Sequence, residues 1–315
     1  MPSTVRPVLG RTAVRPSWAA VPAALRGGIS ARLGGTVEHA GSQAGGFTPG
    51  LAVRLCLAGG GRAFVKALPA GHPAAASYRR EAAFAALLPA AVPAPSLRWH
   101  AGIAGWEVLA FDDVQGRHPA FTPPGADIPA VLRAVTAAQV PVAGLPASAE
   151  HRAGWLHGWA ALAARPAGTL APWAAARLGE LAAAETAWLP HAAGTTLVHG
   201  DLRPDNILIA SSGVVLVDWA HATVGAPWLD LADIAAQLVI AGHNPADAEQ
   251  SLAGLPAWQT APPAGITGYA TALAGYWTRS AAQPAPPGVP SLRAYQAHAA
   301  ASAIGWLAWR WQEHE

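Results

Sequence analysis

Apolar residues recur every four positions at Val21, Leu25, Ile29 and Leu33, directly behind Pro22. That spacing predicts a short amphipathic helix with proline in its first turn. The pattern then shifts to short apolar runs at 36–39, 51–57 and 62–67, separated by a Gly/Ser stretch at 41–50 and by Gly59-Gly60-Gly61. Runs of this length between glycine-rich breaks predict three strands of an antiparallel meander. A helical segment follows at 77–88, and 106–111 is a further apolar strand that stops at Asp112-Asp113, ahead of a proline-rich stretch. That stop marks the expected boundary between an N-terminal lobe, 1–111, and a C-terminal lobe, 112–315.

Downstream the periodicity is mostly helical, at 130–139, 150–164, 172–188, 228–240, 265–278 and 291–311. One segment departs from it. Ile207-Leu208-Ile209, a turn at 210–213 and a second run at 214–217 predict a β-hairpin, with His199-Gly200-Asp201 before it and Asp218 after it. The Ala/Pro-rich stretches at 69–76 and 281–290 predict loops, and no internal repeat is present. The expected fold class is therefore α+β, with a small antiparallel sheet followed by a mostly helical half.

Composition narrows the function classes. With 52% hydrophobic and only 12% charged residues over 315 positions, the chain is not disordered. A single cysteine, Cys56, excludes an intrachain disulfide framework and a Cys-rich metal site. A net charge of +2 without any basic run gives no surface for a nucleic-acid polymer. The longest uncharged stretch, 250–278, is broken by Pro256, Pro262 and Pro263, so no membrane span is expected. Near the start, Arg6, Arg11 and Arg15 are followed by Pro16 and Pro22 before any unbroken apolar core could form, and a soluble cytoplasmic protein is expected. Of the 20 basic residues 19 are Arg; the one lysine is Lys66.

Acidic residues are sparse except in one place. Five of the 18, Asp201, Asp205, Asp218, Asp230 and Asp233, fall between 201 and 233. Asn206 and Asp218 are equidistant from the hairpin centre at Ser212, so antiparallel pairing brings both to its open end, beside Asp201. An Asn and an Asp can hold Mg²⁺ through hard oxygen ligands while another carboxylate receives a proton from a hydroxyl. That combination suits phosphoryl transfer.

The segment His199-Gly200-Asp201-Leu202-Arg203-Pro204-Asp205-Asn206 resembles the catalytic loop of the kinase superfamily, and Val217-Asp218-Trp219 resembles its metal-binding element. Gly in place of Arg after the His is similar to the aminoglycoside phosphotransferase and choline kinase group. So is the stretch from Gly225 to Ala232, which resembles that group's following helix start. Phe64-Val65-Lys66 resembles the kinase strand lysine, with Glu81 fifteen residues later where the family places its ion-pair partner. The loop Ser42-Gln43-Ala44-Gly45-Gly46-Phe47 occupies the phosphate-covering position, without the G-x-G-x-x-G of protein kinases.

The resemblance implies a bilobal, protein kinase-like fold with ATP in the cleft and a small-molecule hydroxyl as acceptor. It gives Asp201 the role of base, Asn206 and Asp218 the Mg²⁺, and Lys66, held by Glu81, the α- and β-phosphates. Ser42, Gly45 and Gly46 would cover the phosphates, and backbone groups near 110–113, including Phe111 and Asp113, would meet the adenine edge. A catalytically silent nucleotide- or metabolite-binding module on the same fold is the alternative.

Around these residues, other side chains have structural explanations. His199 is expected to hold its loop by hydrogen bonds, and Asp230 and Asp233 to brace a helix start. Tryptophans at helical spacing, Trp155 with Trp159 and Trp306 with Trp309, are expected in the core. Between 234 and 312 only Asp247 and Glu249 are acidic, so a highly cationic aminoglycoside is expected to be a poor substrate.

Overall fold

Period-two alternation in the N-terminal strands decides which residues face the core and which face the cleft. The computed structural model describes residues 13–166 and 168–313. Its first elements are α1 (Ala23–Leu33), β1 (Val37–Ser42), β2 (Leu51–Leu57), β3 (Arg62–Pro69), α2 (Ala75–Ala85), β4 (Leu97–Ile103) and β5 (Trp106–Phe111). The strands form one antiparallel sheet in the order β1-β2-β3-β5-β4. Leu51, Val53 and Leu55, Val65 and Ala67, and Val108 and Ala110 pack together with Val21, Leu25 and Ile29 of the α1 region. Their in-between neighbours point the other way. In register, Ala52 lies opposite Lys66 and Arg54 opposite Phe64, while α2 sets Tyr78 and Ala82 against Leu68, Leu109 and Phe111. One face is thus wholly apolar, and Lys66 and Arg54 lie on the other.

Two strands differ from expectation. β1 runs on to Ser42, into the stretch predicted as loop, and β4 was not predicted at all. β4 is an edge strand whose residues are only half-buried or exposed, and Arg98 and His100 interrupt its apolar pattern behind Pro93 and Pro95. Its pairing with β5, not its own hydrophobicity, makes it a strand.

The remaining chain forms β6 (Gly116–Arg117), α3 (Ile128–Ala138), α4 (Ser148–Ala153), α5 (Gly158–Ala164), α6 (Pro172–Ala176) and α7 (Leu178–Ala184). Then come β7 (Thr196–Val198), β8 (Ile207–Ala210), β9 (Gly213–Leu216), β10 (Thr223–Gly225) and α8 (Trp228–Ala241). The last elements are α9 (Pro245–Gln250), α10 (Pro256–Gln259), α11 (Pro263–Ala281) and α12 (Leu292–Glu313). One large apolar cluster spans these helices, with Trp159, Trp188 and Trp306 fully buried.

The helices predicted at 150–164 and 172–188 are each broken in two. α5 begins where the Glu185 carboxylate accepts hydrogen bonds from the Trp159 and Ala160 amides, both at 2.8 Å. A carboxylate at that end satisfies otherwise orphaned donors and complements the helix dipole. The start is also fixed by a close crossing: a Cβ on Gly158 would lie 2.0 Å from the Gly275 backbone of α11. Between α6 and α7, Arg177 leaves helical geometry at φ −118° and ψ 14°. Among the described residues no helix is long and apolar enough to cross a membrane.

Candidate active site

β7 leads into the segment 199–206, whose shape depends on one glycine. Gly200 has φ +82°, and a Cβ there would sit 2.5 Å from the His221 carbonyl oxygen. Any side chain at this position would meet both backbone strain and a collision. The loop is held from below by Asp230, in the first turn of α8, whose carboxylate accepts from the His199 amide (2.7 Å) and the Gly200 amide (3.0 Å). His199 receives the Asp201 amide on Nδ1 (3.2 Å), so its Nε2 carries the proton and donates to the Val217 carbonyl (3.0 Å). Both side chains position the loop from behind and do not themselves line the cavity.

Asp201 is fixed by its own loop. Asn206 donates from Nδ2 to the Asp201 carbonyl (2.8 Å) and to its Oδ2 (2.9 Å), and Arg203 Nε lies 3.2 Å from Oδ1. With Nδ2 so engaged, the Asn206 amide oxygen is left as a free acceptor. Across the hairpin the Val217 amide bonds the Asn206 carbonyl at 2.9 Å, so Asp218 emerges beside Asn206 at the open end. Asp218 adopts φ +67°, a left-handed conformation costly for a residue with a side chain, and thereby turns its carboxylate toward Lys66.

Lys66 Nζ donates to Glu81 (2.6 Å) and to Asp218 Oδ1 (3.0 Å), and stands over the Tyr78 ring. Burial opposes its charge, but the two carboxylates outweigh burial and raise its pKa. Burial likewise works against charge on Asp218, yet Lys66 holds that carboxylate down at about 2. For Glu81 the balance is reversed: burial pushes it up, to about 7, with Lys66 only partly offsetting.

Lys66, Glu81, Asp201, Asn206 and Asp218 all line one cavity of about 780 Å³. Gly45, Gly46, Phe111 and Asp113 line it too, whereas Ser42 sits at the exposed end of β1, outside the wall. The Asp113 carboxylate is committed to Arg54 (2.6 Å) and Arg62 (2.7 Å), which ties the segment after β5 to β2 and β3. The sequence pattern contains Asp205 in the motif but assigns it no role. Its Oδ2 accepts from the Gly46 amide at 3.0 Å, drawing the glycine-containing loop onto the catalytic loop.

The far wall of the cavity is aromatic. Leu273, Tyr276 and Trp277 share one face of α11, and Trp155 meets Tyr276 edge-on at 5.0 Å. Trp155, half-buried, therefore lines the cavity as well as packing against the helical core. Asp233 reaches the wall but is held by Arg152 (3.3 Å) and by the Tyr269 hydroxyl (2.8 Å). Tyr269 also receives a bond from Arg152.

Behind this wall His151 Nε2 lies 3.4 Å from His221 Nδ1. Burial, followed by the nearby His221, Arg80 and Arg152, lowers the His151 pKa from 6.5 to about 4. The unfolded chain accepts a proton there that the folded chain refuses, so this group's stabilisation is present above pH 6.5 and is lost as pH falls toward 4. Thermal unfolding should show a smaller drop in Tm for His151→Gln than for wild type between about pH 7 and about pH 5. Parallel profiles would show that this ring does not drive the acid sensitivity.

The residues fit a Mg²⁺ ion that is shared with a nucleotide. Asp218 and Asn206 offer two hard oxygens on the cavity wall, and Mg²⁺ is commonly held by one or two protein ligands plus substrate phosphates. Among the described residues no group of three or more His, Cys, Asp and Glu could enclose a metal by itself.

Comparison with known proteins agrees with this geometry. Residues 51–264 match the model of the phosphotransferase enzyme family. Among solved structures, the chain is similar to a choline/ethanolamine kinase family protein from Mesorhizobium loti, at TM-score 0.58 and 18% identity over 90% of this chain and 95% of that one. It is also similar to choline kinase from Cryptosporidium parvum, at TM-score 0.56 and 9% identity over 87% and 89% of the two chains. A third similar structure, provisionally described as a fructosamine-3-kinase, comes from Thermobifida fusca, at TM-score 0.52 and 21% identity over 90% and 98%. No curated protein matches the sequence. The solved structures show a kinase-like α+β fold, an antiparallel N-terminal sheet followed by a helical half. With the matched segment covering more than half of its length, the chain belongs to the phosphotransferase enzyme family.

Proposed function

We propose that this enzyme transfers the γ-phosphoryl group of ATP, with Mg²⁺, to a hydroxyl of a small molecule of low positive charge. The observation that carries the proposal is the placement of Asp201 on the same cavity wall as Lys66, Asn206 and Asp218, with its carboxylate oriented by Asn206. An acceptor hydroxyl against Asp201 would give its proton to the carboxylate as its oxygen attacks phosphorus and ADP leaves. Lys66, fixed between Glu81 and Asp218, would orient the α- and β-phosphates. Asp218 and the Asn206 amide oxygen would hold Mg²⁺, which when bound neutralises phosphate charge.

The acceptor's charge follows from what each carboxylate already does. Every Asp and Glu lining the cavity has a partner in the chain: Glu81 and Asp218 with Lys66, Asp112 with Arg98, Asp113 with Arg54, Asp201 and Asp205 with Arg203, and Asp233 with Arg152. Asp247 and Glu249 are outside the wall; Asp247 bonds Asn244, and Glu249 holds Arg310 and Trp306. A polycation entering the cavity would lose hydration and have to compete with these cations for carboxylates that are already engaged. Mass spectrometry of a metabolite and antibiotic panel with Mg-ATP should show gain of one phosphate on neutral or singly charged alcohols. A kanamycin-type aminoglycoside is expected to react at least about tenfold less well in kcat/KM, which is the cost of one unpaired charge contact. Preferred phosphorylation of kanamycin would overturn the charge argument.

A further inference from the structure

Among the described residues four Lys and Arg side chains line the cavity, and three of them are paired with carboxylates. Lys66 pairs with Glu81 and Asp218, Arg54 with Asp113, and Arg203 with Asp201 and Asp205. The fourth is Arg15, from the segment ahead of α1. Its hydrogen bonds go to neutral carbonyls, Gly45 (2.6 Å) and Gly50 (3.1 Å), and among the described residues no carboxylate is within ion-pair distance of it. Its Nε is buried and makes no hydrogen bond. Burial lowers the Arg15 pKa, opposed by Tyr78, through its field and a side-chain hydrogen bond, and by the fields of Asp218 and Asp205. The guanidinium lines the same cavity as Asp205, Asn206 and Asp218.

The position is a built one. Arg15 bridges the glycine-containing loop at Gly45 and the residue just ahead of β2, Gly50, and a Cβ on Gly46 would touch its Nη2 at 2.9 Å. The neighbouring Val14 amide bonds the Gly288 carbonyl at 2.7 Å, anchoring this segment to the chain just ahead of α12. Phe47, in the same loop, lies between Tyr295 and the Arg203 guanidinium. A Mg-nucleoside triphosphate brings net negative charge into a cleft where Lys66 is already outnumbered by its two carboxylates. A cation without a carboxylate partner can answer it, and the terminal N–H groups of a planar guanidinium suit phosphate oxygens.

We propose that Arg15 is a phosphate-binding residue of the nucleotide site, delivered by the segment preceding the first helix and held over the cleft by the glycine-containing loop. The inference rests on the nucleotide-dependent phosphotransferase function proposed above. It separates Arg15 from a loop brace, which would support the adenosine and phosphate ends of the ligand alike.

The test is calorimetric binding of ATP and of adenosine to full-length wild type, Arg15→Gln and Arg15→Lys, with Tm as the folding control. In Arg15→Gln the preference for ATP over adenosine should fall roughly tenfold or more, the worth of a charge-assisted hydrogen bond, while adenosine affinity stays unchanged. Arg15→Lys keeps the charge and should retain most of the preference. Equal losses for both ligands, or an unchanged ratio in Arg15→Gln, would overturn the proposal and leave Arg15 a brace. Failure of wild type to bind any nucleotide would overturn the functional proposal as well, which distinguishes the two failures.

Discussion

Asp201→Asn is expected to lower kcat by roughly 10²–10⁴, the range for loss of a positioned general base, with nucleotide KM changed by less than about threefold. Asn is isosteric, can still accept from Asn206 through its amide oxygen, and leaves Arg203 its contact with Asp205. What it cannot do is take a proton from the acceptor hydroxyl. Following ADP release together with phosphorylated product separates the alternatives. Equal product rates in both proteins would remove Asp201 as the base. A wild type that binds nucleotide yet phosphorylates nothing would support a silent binding module instead. A Tm for Asp201→Asn close to that of wild type would confirm that chemistry, not folding, is lost.

The parts of the site legible in the sequence are those set by local geometry. A hairpin centre and period-two pairing bring Asn206 and Asp218 to one end whatever surrounds them, and the structure has them bridged through the Val217 amide. Lys66 was conspicuous because Arg serves every other basic position, and it faces the cleft because its neighbours Val65 and Ala67 face the core. Arg15 carried no such signal. It sits among other Arg and Pro residues, and its meaning comes only from a loop that folds over it. Asp205 was visible in the motif but ambiguous, since its partner, the Gly46 amide, lies 159 residues away.

The same division explains the misplaced elements. Helix periodicity continues through 150–164, but the Glu185 carboxylate and the Gly158–Gly275 crossing start a new helix at 158. Both causes are tertiary. Trp155 and Trp159 share a helical spacing, yet the break between α4 and α5 sends one to the cavity wall and the other to the core. The aromatic residues of the far cavity wall were therefore countable in the sequence but could not be placed.

Lys66→Met should be the most damaging exchange to stability, and it should cost activity as well. The apolar replacement fills the stem's volume but leaves Glu81, 3% exposed, without its cation, and breaking one side of a buried pair costs about 3–5 kcal/mol. Asp218, 36% exposed, loses the same cation but keeps contact with solvent. The Glu81 cost depends on pH with a definite sign. Burial already lifts its pKa from 4.5 to about 7 with Lys66 present, so without Lys66 it stays protonated to higher pH in the folded state. A carboxyl with a raised folded pKa stabilises most below its unfolded value and loses that contribution as pH rises. The Tm deficit of Lys66→Met should accordingly be smaller near pH 5 and larger near pH 8, and kcat/KM for Mg-ATP should fall by roughly 10²–10³, as for loss of one transition-state donor. Lys66→Arg separates charge from shape. It should recover most of the stability but not productive nucleotide use, because a planar guanidinium cannot take the place of a compact ammonium held 2.6 Å from Glu81 and 3.0 Å from Asp218. If Lys66→Arg matched wild type in kcat/KM, the single lysine among 19 arginines would be an accident of composition; a loss confined to nucleotide use would show why Arg has not replaced it there.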